Sequence, residues 1–297
     1  MSILITGSNG LLGQAVTSVI LRESDQEVIL SSVEESSYHD VGELYVQLDI
    51  TSKEDVKRIV EHYKPSVIVN CAAYTNVDKC ETERELSWKI NVDGVKNLII
   101  AAKKNEAKIV HYSTDYVFDG KNGPYDELSV PNPVSFYGRE KLASENSLIT
   151  SNINYAIIRT LVLYGTGNNV KPNFALWMLD NLRNNRPVNI VTDQISNVTM
   201  IDDLAYGTLK IIEKDCKGIY NIAGSDILSR YDFAMNMCEV FKLNKKLVYP
   251  ITTESLNQPA PRPLNSGLII LKMVSELGFK PMDSTEGLKL LKFQLGY

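Results

Sequence analysis

The chain alternates short runs of consecutive apolar residues with longer stretches in which apolar residues recur every three or four positions. Continuous runs are typical of strands buried on both faces, and the periodic stretches are typical of helices. In chain order the predicted elements are strand 2–6, helix 11–21, strand 27–31, strand 44–49, helix 53–63, strand 67–71, helix 82–105, strand 108–113, helix 135–151 and strand 155–160. Right-handed crossovers connect strands that alternate with helices, so the pattern predicts an α/β fold with a doubly wound parallel sheet of the Rossmann type.

Strand and helix signals weaken after Arg159, and the second half contains three predicted loops, at 164–172, 192–199 and 250–266. A chain of 297 residues is close to the size at which single cores divide. We therefore expect a Rossmann domain over residues 1–160 and a smaller C-terminal α/β lobe over residues 161–297. Some segments of the lobe are expected to return to the sheet.

Composition narrows the function classes. With 31 basic and 36 acidic side chains, the net charge is -5, and this mild acidity makes nucleic acid an unexpected partner. No stretch approaches the roughly 20 apolar residues that span a bilayer, and no signal peptide is indicated. The four cysteines and three histidines show no paired close spacing, so neither a metal site nor a disulfide framework is predicted. We expect a cytoplasmic protein.

Three glycines spaced three apart, Gly7, Gly10 and Gly13, join the first predicted strand to the first helix. Glycine suits a tight turn, a close approach of backbone to a pyrophosphate, and close packing of helix on strand. The helix N-terminus then offers free N–H groups to phosphate. The turn therefore predicts dinucleotide binding, with Asn9, Leu11 and Leu12 as further contacts.

The end of the second predicted strand bears on which dinucleotide is bound. An acidic residue about 20 positions beyond the glycines usually holds the ribose 2′-hydroxyl. Glu27 lies too early, and the strand ends in Ser31 and Ser32, whose hydroxyls could bind ribose or phosphate. This pattern favours NADP(H) over NAD(H), with Ser31 as a contact. At the end of the third strand, Asp49 with Ile50 is predicted to contact adenine, or Asp49 caps the next helix.

A tyrosine and a lysine four residues apart, Tyr137 and Lys141, lie on one face of a predicted helix. Tyr206 and Lys210 have the same spacing, but Tyr137 follows the nucleotide turn and five strands, and Tyr206 is better explained as a residue at the core edge. A phenol with a pKa of about 10 is a poor acid–base catalyst at neutral pH unless a cation stabilises the phenolate, which Lys141 would provide. A hydroxyl at the end of the preceding strand, from Ser113 or Thr114, could hydrogen-bond a reacting carbonyl.

Several motifs together resemble the extended short-chain dehydrogenases/reductases, and within them the dTDP-4-dehydrorhamnose reductase group. They are TGSNGLLG at 6–13, NCAAYTNVDK at 70–79, HYSTDYVFDG at 111–120, YGREK at 137–141, RT at 159–160, DQ at 193–194 and RPLNS at 262–266. The resemblance implies a Rossmann domain that binds a nicotinamide cofactor, a lobe that receives a nucleotide sugar, and a step of dTDP-rhamnose biosynthesis.

The family pattern also implies roles for individual residues. Tyr137 would be the proton donor, Lys141 its partner, and Thr114 the hydroxyl that orients the carbonyl. Asp115 would contact sugar hydroxyls or cap a turn, and Asn91 would be structural or solvent-facing. The residues after the fourth strand would lie along the cofactor: Cys71, Ala72, Ala73 and Tyr74.

The predicted substrate contacts are Asn173, Gln194 and Arg262, which would meet the sugar or its diphosphate, or else make ordinary loop hydrogen bonds. Arg262 is included because a guanidinium matches phosphate geometry. Two loops depart from the group's pattern: LVLYG at 161–165 lacks the usual Trp, and DQISNVT at 193–199 lacks the usual Gly and Pro. The related dehydratases carry Glu where this chain has Tyr116, so dehydration is not expected.

The sequence therefore predicts an NAD(P)H-dependent reductase of a 4-keto nucleotide sugar. Two alternatives remain open: a cofactor-binding regulatory subunit, resembling the methionine adenosyltransferase β-subunits, and a nucleotide-sugar epimerase. Extended relatives often form dimers, and the sequence leaves a homodimer open.

Overall fold

The computed structural model describes residues 1–39 and 44–297. In its first half, strands and helices alternate as the apolar pattern predicts. In chain order the elements of this half are β1 (Ser2–Thr6), α1 (Leu11–Glu23), β2 (Glu27–Ser32), β3 (Leu44–Gln47), α2 (Lys53–Tyr63), β4 (Val67–Asn70), α3 (Val77–Thr82), α4 (Arg84–Trp88), α5 (Gly94–Asn105), β5 (Lys108–Thr114), α6 (Phe136–Ile149) and β6 (Tyr155–Thr160).

The second half contains shorter elements. They are β7 (Leu163–Tyr164), α7 (Phe174–Arg183), β8 (Val188–Val191), β9 (Ile195–Asn197), β10 (Thr199–Met200), α8 (Ile201–Glu213), β11 (Gly218–Asn221), β12 (Ile227–Ser229), α9 (Arg230–Phe241), β13 (Val248–Ile251), α10 (Leu271–Leu277) and α11 (Ser284–Gln294). Helices α7, α9 and α11 enclose an apolar core of their own with the parallel pair β8 and β13. Of the helices in the described ranges, none combines the length and apolar character needed to cross a membrane.

The central sheet has seven parallel strands in the order β11-β6-β5-β4-β1-β2-β3. Helices α1 and α8 pack together, as do α2 and α5, and apolar cores fill both sides of the sheet. The structure confirms the predicted doubly wound α/β fold. Strand order reverses between β1 and β4, and in such sheets ligands bind in the crevice at the carboxyl ends of the strands there. The predicted division at residue 160 stays a prediction, and β11 from the second half pairs with β6.

The structure corrects the prediction of one continuous helix over 82–105. A π-helical turn at Lys89–Asp93 separates α4 from α5, and Asn91 within it is buried. The Asn91 amide accepts from the backbone N–H of Tyr74 at 2.8 Å and donates to Glu140 at 3.0 Å. A π-helical turn often marks a functional site, and here it turns a buried polar side chain towards the segment after β4 and towards α6.

The predicted loop at 192–199 is also partly wrong, because it contains β9. This strand pairs antiparallel with β12, about thirty residues further along the chain. A three-residue strand carries almost no periodic signal of its own, so its partner decides its structure.

Candidate active site

The glycine turn lies where β1 ends and α1 begins, beside the start of the segment after β4. Gly7 has a φ of +67°, and a Cβ there would lie 2.7 Å from the backbone nitrogen of Ala72. A Cβ on Gly13 would lie 2.3 Å from the carbonyl oxygen of Gly7. In the described part of the chain no side chain caps α1, so its first N–H groups are available to a ligand. The turn fits the pyrophosphate of a dinucleotide.

Two cavities adjoin this turn, and they share Gly10, Cys71 and Ala73. The first cavity, of about 400 Å³, runs towards the ends of β2 and β3 and is lined by Ser32 and Glu34 among others. Several predicted cofactor contacts also line it: Gly7, Gly10, Asp49, Ile50, Cys71, Ala72 and Ala73. The Asp49 carboxylate accepts from the Thr51 backbone N–H at 2.8 Å and orders the turn before α2. The alternative that Asp49 caps α2 is wrong, because the N-cap is Ser52, which accepts from the backbone of Asp55.

Three predicted cofactor contacts do not line either cavity. Ser31 is fully buried and donates to the carbonyl of Ile5 at 3.1 Å. The Tyr74 hydroxyl donates to Glu83. Asn9 contacts the lining of the first cavity through Glu34, to which its amide donates at 3.1 Å. Their contact with a cofactor stays a prediction.

Glu34 is a residue that the sequence argument missed. Its carboxylate accepts from the Ser32 hydroxyl at 2.5 Å as well as from Asn9. Burial alone would raise the pKa of Glu34, but the hydrogen bonds from Ser32 and Asn9 lower it, so the group is charged at neutral pH. The spacing rule could have found this residue, because Glu34 stands 21 positions after Gly13.

The second cavity, of about 500 Å³, lies on the other side of the glycine turn. It brings the carboxyl end of β5 together with α6 and the segment after β6. The predicted residues that line it are Gly10, Leu11, Leu12, Gly13, Cys71, Ala73, Thr114, Asp115, Tyr137 and Lys141. The second cavity is therefore lined both by the candidate catalytic residues and by the start of α1.

Burial dominates the electrostatics of Tyr137 and Lys141. Burial, and after it the charge of Asp115, raises the pKa of Tyr137, so the phenol is protonated at neutral pH. Burial lowers the pKa of Lys141 to about 8, against the opposing effect of Glu145 and Glu140. The Lys141 ammonium lies 3.4 Å from Nε2 of His111. Burial, and after it the charge of Lys141, lowers the pKa of His111 well below its usual value. Lys141 thus faces a neutral imidazole and remains largely cationic at neutral pH.

The hydroxyls at the end of β5 differ in their partners. Thr114 donates to Asp115 at 3.0 Å and accepts from the backbone of Tyr116 at 3.2 Å. Ser113 also lines the cavity, and its buried hydroxyl has no partner among the described residues. Asp115 accepts from Ser266 at 2.5 Å, and burial raises its pKa to about 6. Both hydroxyls therefore remain candidates for binding a carbonyl.

The other predicted substrate contacts lie outside the lining of the second cavity. Asn173 caps α7 by accepting from Leu176 at 3.2 Å, and the Gln194 amide donates to Thr253 at 3.1 Å. Arg262 forms a bidentate ion pair with Asp78 of α3, at 2.7 and 2.9 Å. These contacts match the alternative of ordinary loop hydrogen bonding, and a role in substrate binding stays a prediction for each.

Arg230 is the second residue that the sequence argument missed. It is the first residue of α9 and lines the second cavity with Asp115 and Tyr116. Its sequence context gave no signal, because a single Arg in a helical stretch is normally solvent-exposed. The second Tyr–Lys pair lies elsewhere: Tyr206 packs against Phe279 with ring centroids 5.0 Å apart.

The chain is similar to known proteins over most of its length. A family model described as the RmlD substrate binding domain matches residues 1–294. A dTDP-4-dehydrorhamnose reductase from Aggregatibacter actinomycetemcomitans is 35% identical, with 98% of both chains covered. A methionine adenosyltransferase 2 subunit beta from Xenopus laevis is 31% identical over 91% of this chain and 80% of that protein.

Solved structures give the same result. A dTDP-4-dehydrorhamnose reductase from Clostridium acetobutylicum is 37% identical, with a TM-score of 0.89 and full coverage of both chains. Another from Bacillus anthracis, in complex with NADP, is 31% identical with a TM-score of 0.86 and 99% coverage of both chains. The chain therefore belongs to the RmlD substrate binding domain family, within the extended short-chain dehydrogenases/reductases and alongside the dTDP-4-dehydrorhamnose reductases.

Proposed function

We propose that this protein is an oxidoreductase that reduces the ketone of a 4-keto nucleotide sugar with a reduced nicotinamide cofactor. The observation that carries the proposal is the second cavity, in which Thr114, Tyr137 and Lys141 adjoin the glycine turn. The names of the reductase relatives support the same reaction and the same class of substrate.

The cofactor would lie across the two cavities, with its pyrophosphate at Gly7–Gly13 and its adenosine in the first cavity. Lys141 would reach the nicotinamide ribose, because the second cavity extends from the glycine turn to α6. When bound, the reduced nicotinamide supplies the hydride that the ketone carbon accepts. The chain's own residues have to orient the ketone and supply a proton.

Tyr137 is the proposed proton donor. Burial keeps its pKa high, so the Oη atom holds its proton at neutral pH and can give it to the carbonyl oxygen as negative charge develops there. The phenolate left behind is an anion in a buried site, and the ammonium of Lys141 stabilises it. Hydride and proton together convert the ketone into an alcohol.

The hydroxyls at the end of β5 would orient the ketone. Thr114 is fixed by Asp115 and by the Tyr116 backbone, whereas the Ser113 hydroxyl has a free hydrogen-bonding capacity within the described residues. Asp115 would accept from a sugar hydroxyl. Residues 161–297 would form most of the lobe that selects the sugar nucleotide.

The activity can be tested with a panel of dTDP-, UDP-, GDP- and CDP-linked 4-keto sugars and the cofactor-loaded protein. We expect the absorbance of the reduced cofactor to fall with at least one of them. Saturable cofactor binding without oxidation on any sugar, together with co-purification of a partner enzyme, would support the regulatory-subunit alternative instead. Cofactor retained through purification, with interconversion of epimers and no net oxidation, would support an epimerase.

The preference between the two dinucleotides is a finer part of the proposal. The NADP(H) preference expected from the sequence rests on the lack of a carboxylate at the end of β2, and it stays a prediction. The position of Glu34 in the lining of the first cavity opposes the NADP(H) preference. A charged carboxylate beside the adenosine ribose accepts a hydrogen bond from a 2′-hydroxyl and repels a 2′-phosphate. The Glu34 side of the first cavity therefore fits NAD(H) better than NADP(H).

The substitution Glu34→Gln tests this preference. It removes the charge at nearly constant volume, so we expect the ratio of the NADPH and NADH dissociation constants to shift towards NADPH by about 10-fold, or ~1.4 kcal/mol. Fluorescence titration of each reduced dinucleotide measures the ratio without any substrate. Glu35→Gln is the matched control, because Glu35 is exposed and does not line the cavity. An equal ratio in Glu34→Gln and the wild type would show that Glu34 does not select the dinucleotide.

A further inference from the structure

Arg230 is a guanidinium that lines the second cavity and has no direct counter-ion among the described residues. No ion pair within the described ranges includes it, and its Nη1 atom is buried without a hydrogen-bond partner there. Its Cζ atom lies 5.6 Å from the ring centroid of Phe174, which packs against one side of the group. Burial of an unpaired cation costs free energy, so a group of this kind is retained most readily where a ligand anion pairs with it.

The charges that line the cavity indicate which anion this is. Of the described residues lining it, Lys141 and Arg230 carry the positive charges. Lys141 lies on α6 with Tyr137, and its ammonium contacts His111 of β5. Arg230 belongs to a different element, α9, and lines the cavity with Asp115 and Tyr116, whose charges act on it. An anion held by Arg230 would therefore be part of the substrate and separate from the cofactor's pyrophosphate.

Arg262 is the candidate that the sequence offers for the substrate's diphosphate, but this guanidinium already has partners. Asp78 takes both of its terminal nitrogens, and the carbonyl of Ala260 accepts from Nη1 at 2.6 Å. An arginine engaged in this way would have to exchange a bidentate pair for a phosphate. Arg230 would form new charge-assisted hydrogen bonds without breaking any ion pair.

We propose that Arg230, and not Arg262, binds the diphosphate of the nucleotide-sugar substrate. The proposal rests on the proposed function, since it concerns the same cavity and the same substrate. The diphosphate would lie at the N-terminal end of α9, and the sugar would extend from it past Asp115 towards Tyr137. Arg230 would thus act in binding and positioning, without a part in the proton transfer.

Calorimetric titration of dTDP, UDP, GDP and CDP into the cofactor-loaded protein tests this assignment without any turnover. We expect Arg230→Gln to weaken the best of these ligands by about 10- to 100-fold, and Arg230→Lys, which keeps a charge, to have a smaller effect. Arg262→Gln is the comparison variant, and its effect should be smaller than that of Arg230→Gln. Unchanged nucleotide affinity in Arg230→Gln, or a greater loss in Arg262→Gln, would overturn the assignment.

Two further readouts separate ligand binding from folding and from the proposed function. We expect Arg230→Met to leave the melting temperature of the ligand-free protein unchanged or higher, because it removes a partly buried charge that has no ion-pair partner among the described residues. A clear fall would assign Arg230 a structural role and contradict the proposal. A wild type that binds cofactor but none of the four nucleotides would overturn the proposed function together with this inference, whereas equal affinity in wild type and Arg230→Gln would overturn the inference alone.

Discussion

Replacing Tyr137 with phenylalanine is expected to lower turnover by about 10²- to 10⁴-fold, with nearly unchanged affinity for the cofactor. The change removes only the phenolic oxygen, which is the proposed source of the proton. The ring remains, and its edge-to-face contact with Tyr116, with centroids 5.7 Å apart, is preserved. Steady-state turnover with an active keto sugar, and a separate titration of the reduced cofactor, measure the two effects.

The second tyrosine–lysine pair of the chain provides a matched control for this experiment. Tyr206→Phe makes the same chemical change four residues before a lysine, and Tyr206 lies against Phe279, away from the residues that line the second cavity. We expect its turnover to equal that of the wild type. Full activity in Tyr137→Phe would refute the assignment of the proton donor, and equal losses in both variants would indicate a nonspecific effect of removing a phenol.

The part of the fold that follows from the sequence is the part with local signals. Gly7, Gly10 and Gly13 predict the turn between β1 and α1 because a tight turn and a helix start depend on neighbouring residues. The spacing of Tyr137 and Lys141 likewise predicts a shared helix face. The structure brings these local features together in one crevice because parallel strands end at the same edge of the sheet.

Contacts between distant segments are the part that the sequence could not supply. Strand β11 has four residues, and its place beside β6 depends on pairing across more than fifty positions. Arg230 enters the cavity only because α9 follows β12, which is held by β9. Periodicity over a few residues contains no information about such partners.

Glu34 shows a different reason for an incomplete prediction. Glu34 lies beyond the last residue of β2, and the chain turns after Ser32 so that the Glu34 carboxylate reaches back to Ser32 and Asn9. Side-chain hydrogen bonds across a turn decide which carboxylate faces the cavity. The spacing from the glycines was present in the sequence, but the direction of the side chain was not.

The variant Glu145→Gln is expected to destabilise the protein by about 3–5 kcal/mol, because it leaves the charge of Arg159 buried without its counter-ion. Glu145 of α6 and Arg159 of β6 are each no more than 2% exposed, and they form a bidentate ion pair at 3.0 and 2.7 Å. A loss of this size corresponds to a fall in melting temperature of about 10 °C, which thermal unfolding measures. The exposed pair of Arg22 and Glu23, at 2.8 Å, provides the control, and Glu23→Gln should have little effect.

A double variant tests whether the cost comes from the uncompensated charge or from lost packing. In Arg159→Met/Glu145→Leu both charges are absent, so most of the stability lost in Glu145→Gln should return, since buried pairs can often be replaced by apolar residues at little cost. The contact of the Arg159 guanidinium with Phe118, at 5.1 Å from the ring centroid, would be replaced by a thioether on the same ring. If the double variant is as unstable as the sum of its single changes, the pair contributes through shape and not through charge. If Glu145→Gln alone melts like the wild type, Arg159 does not need its carboxylate partner, and the ion pair does not explain how α6 is held against β6.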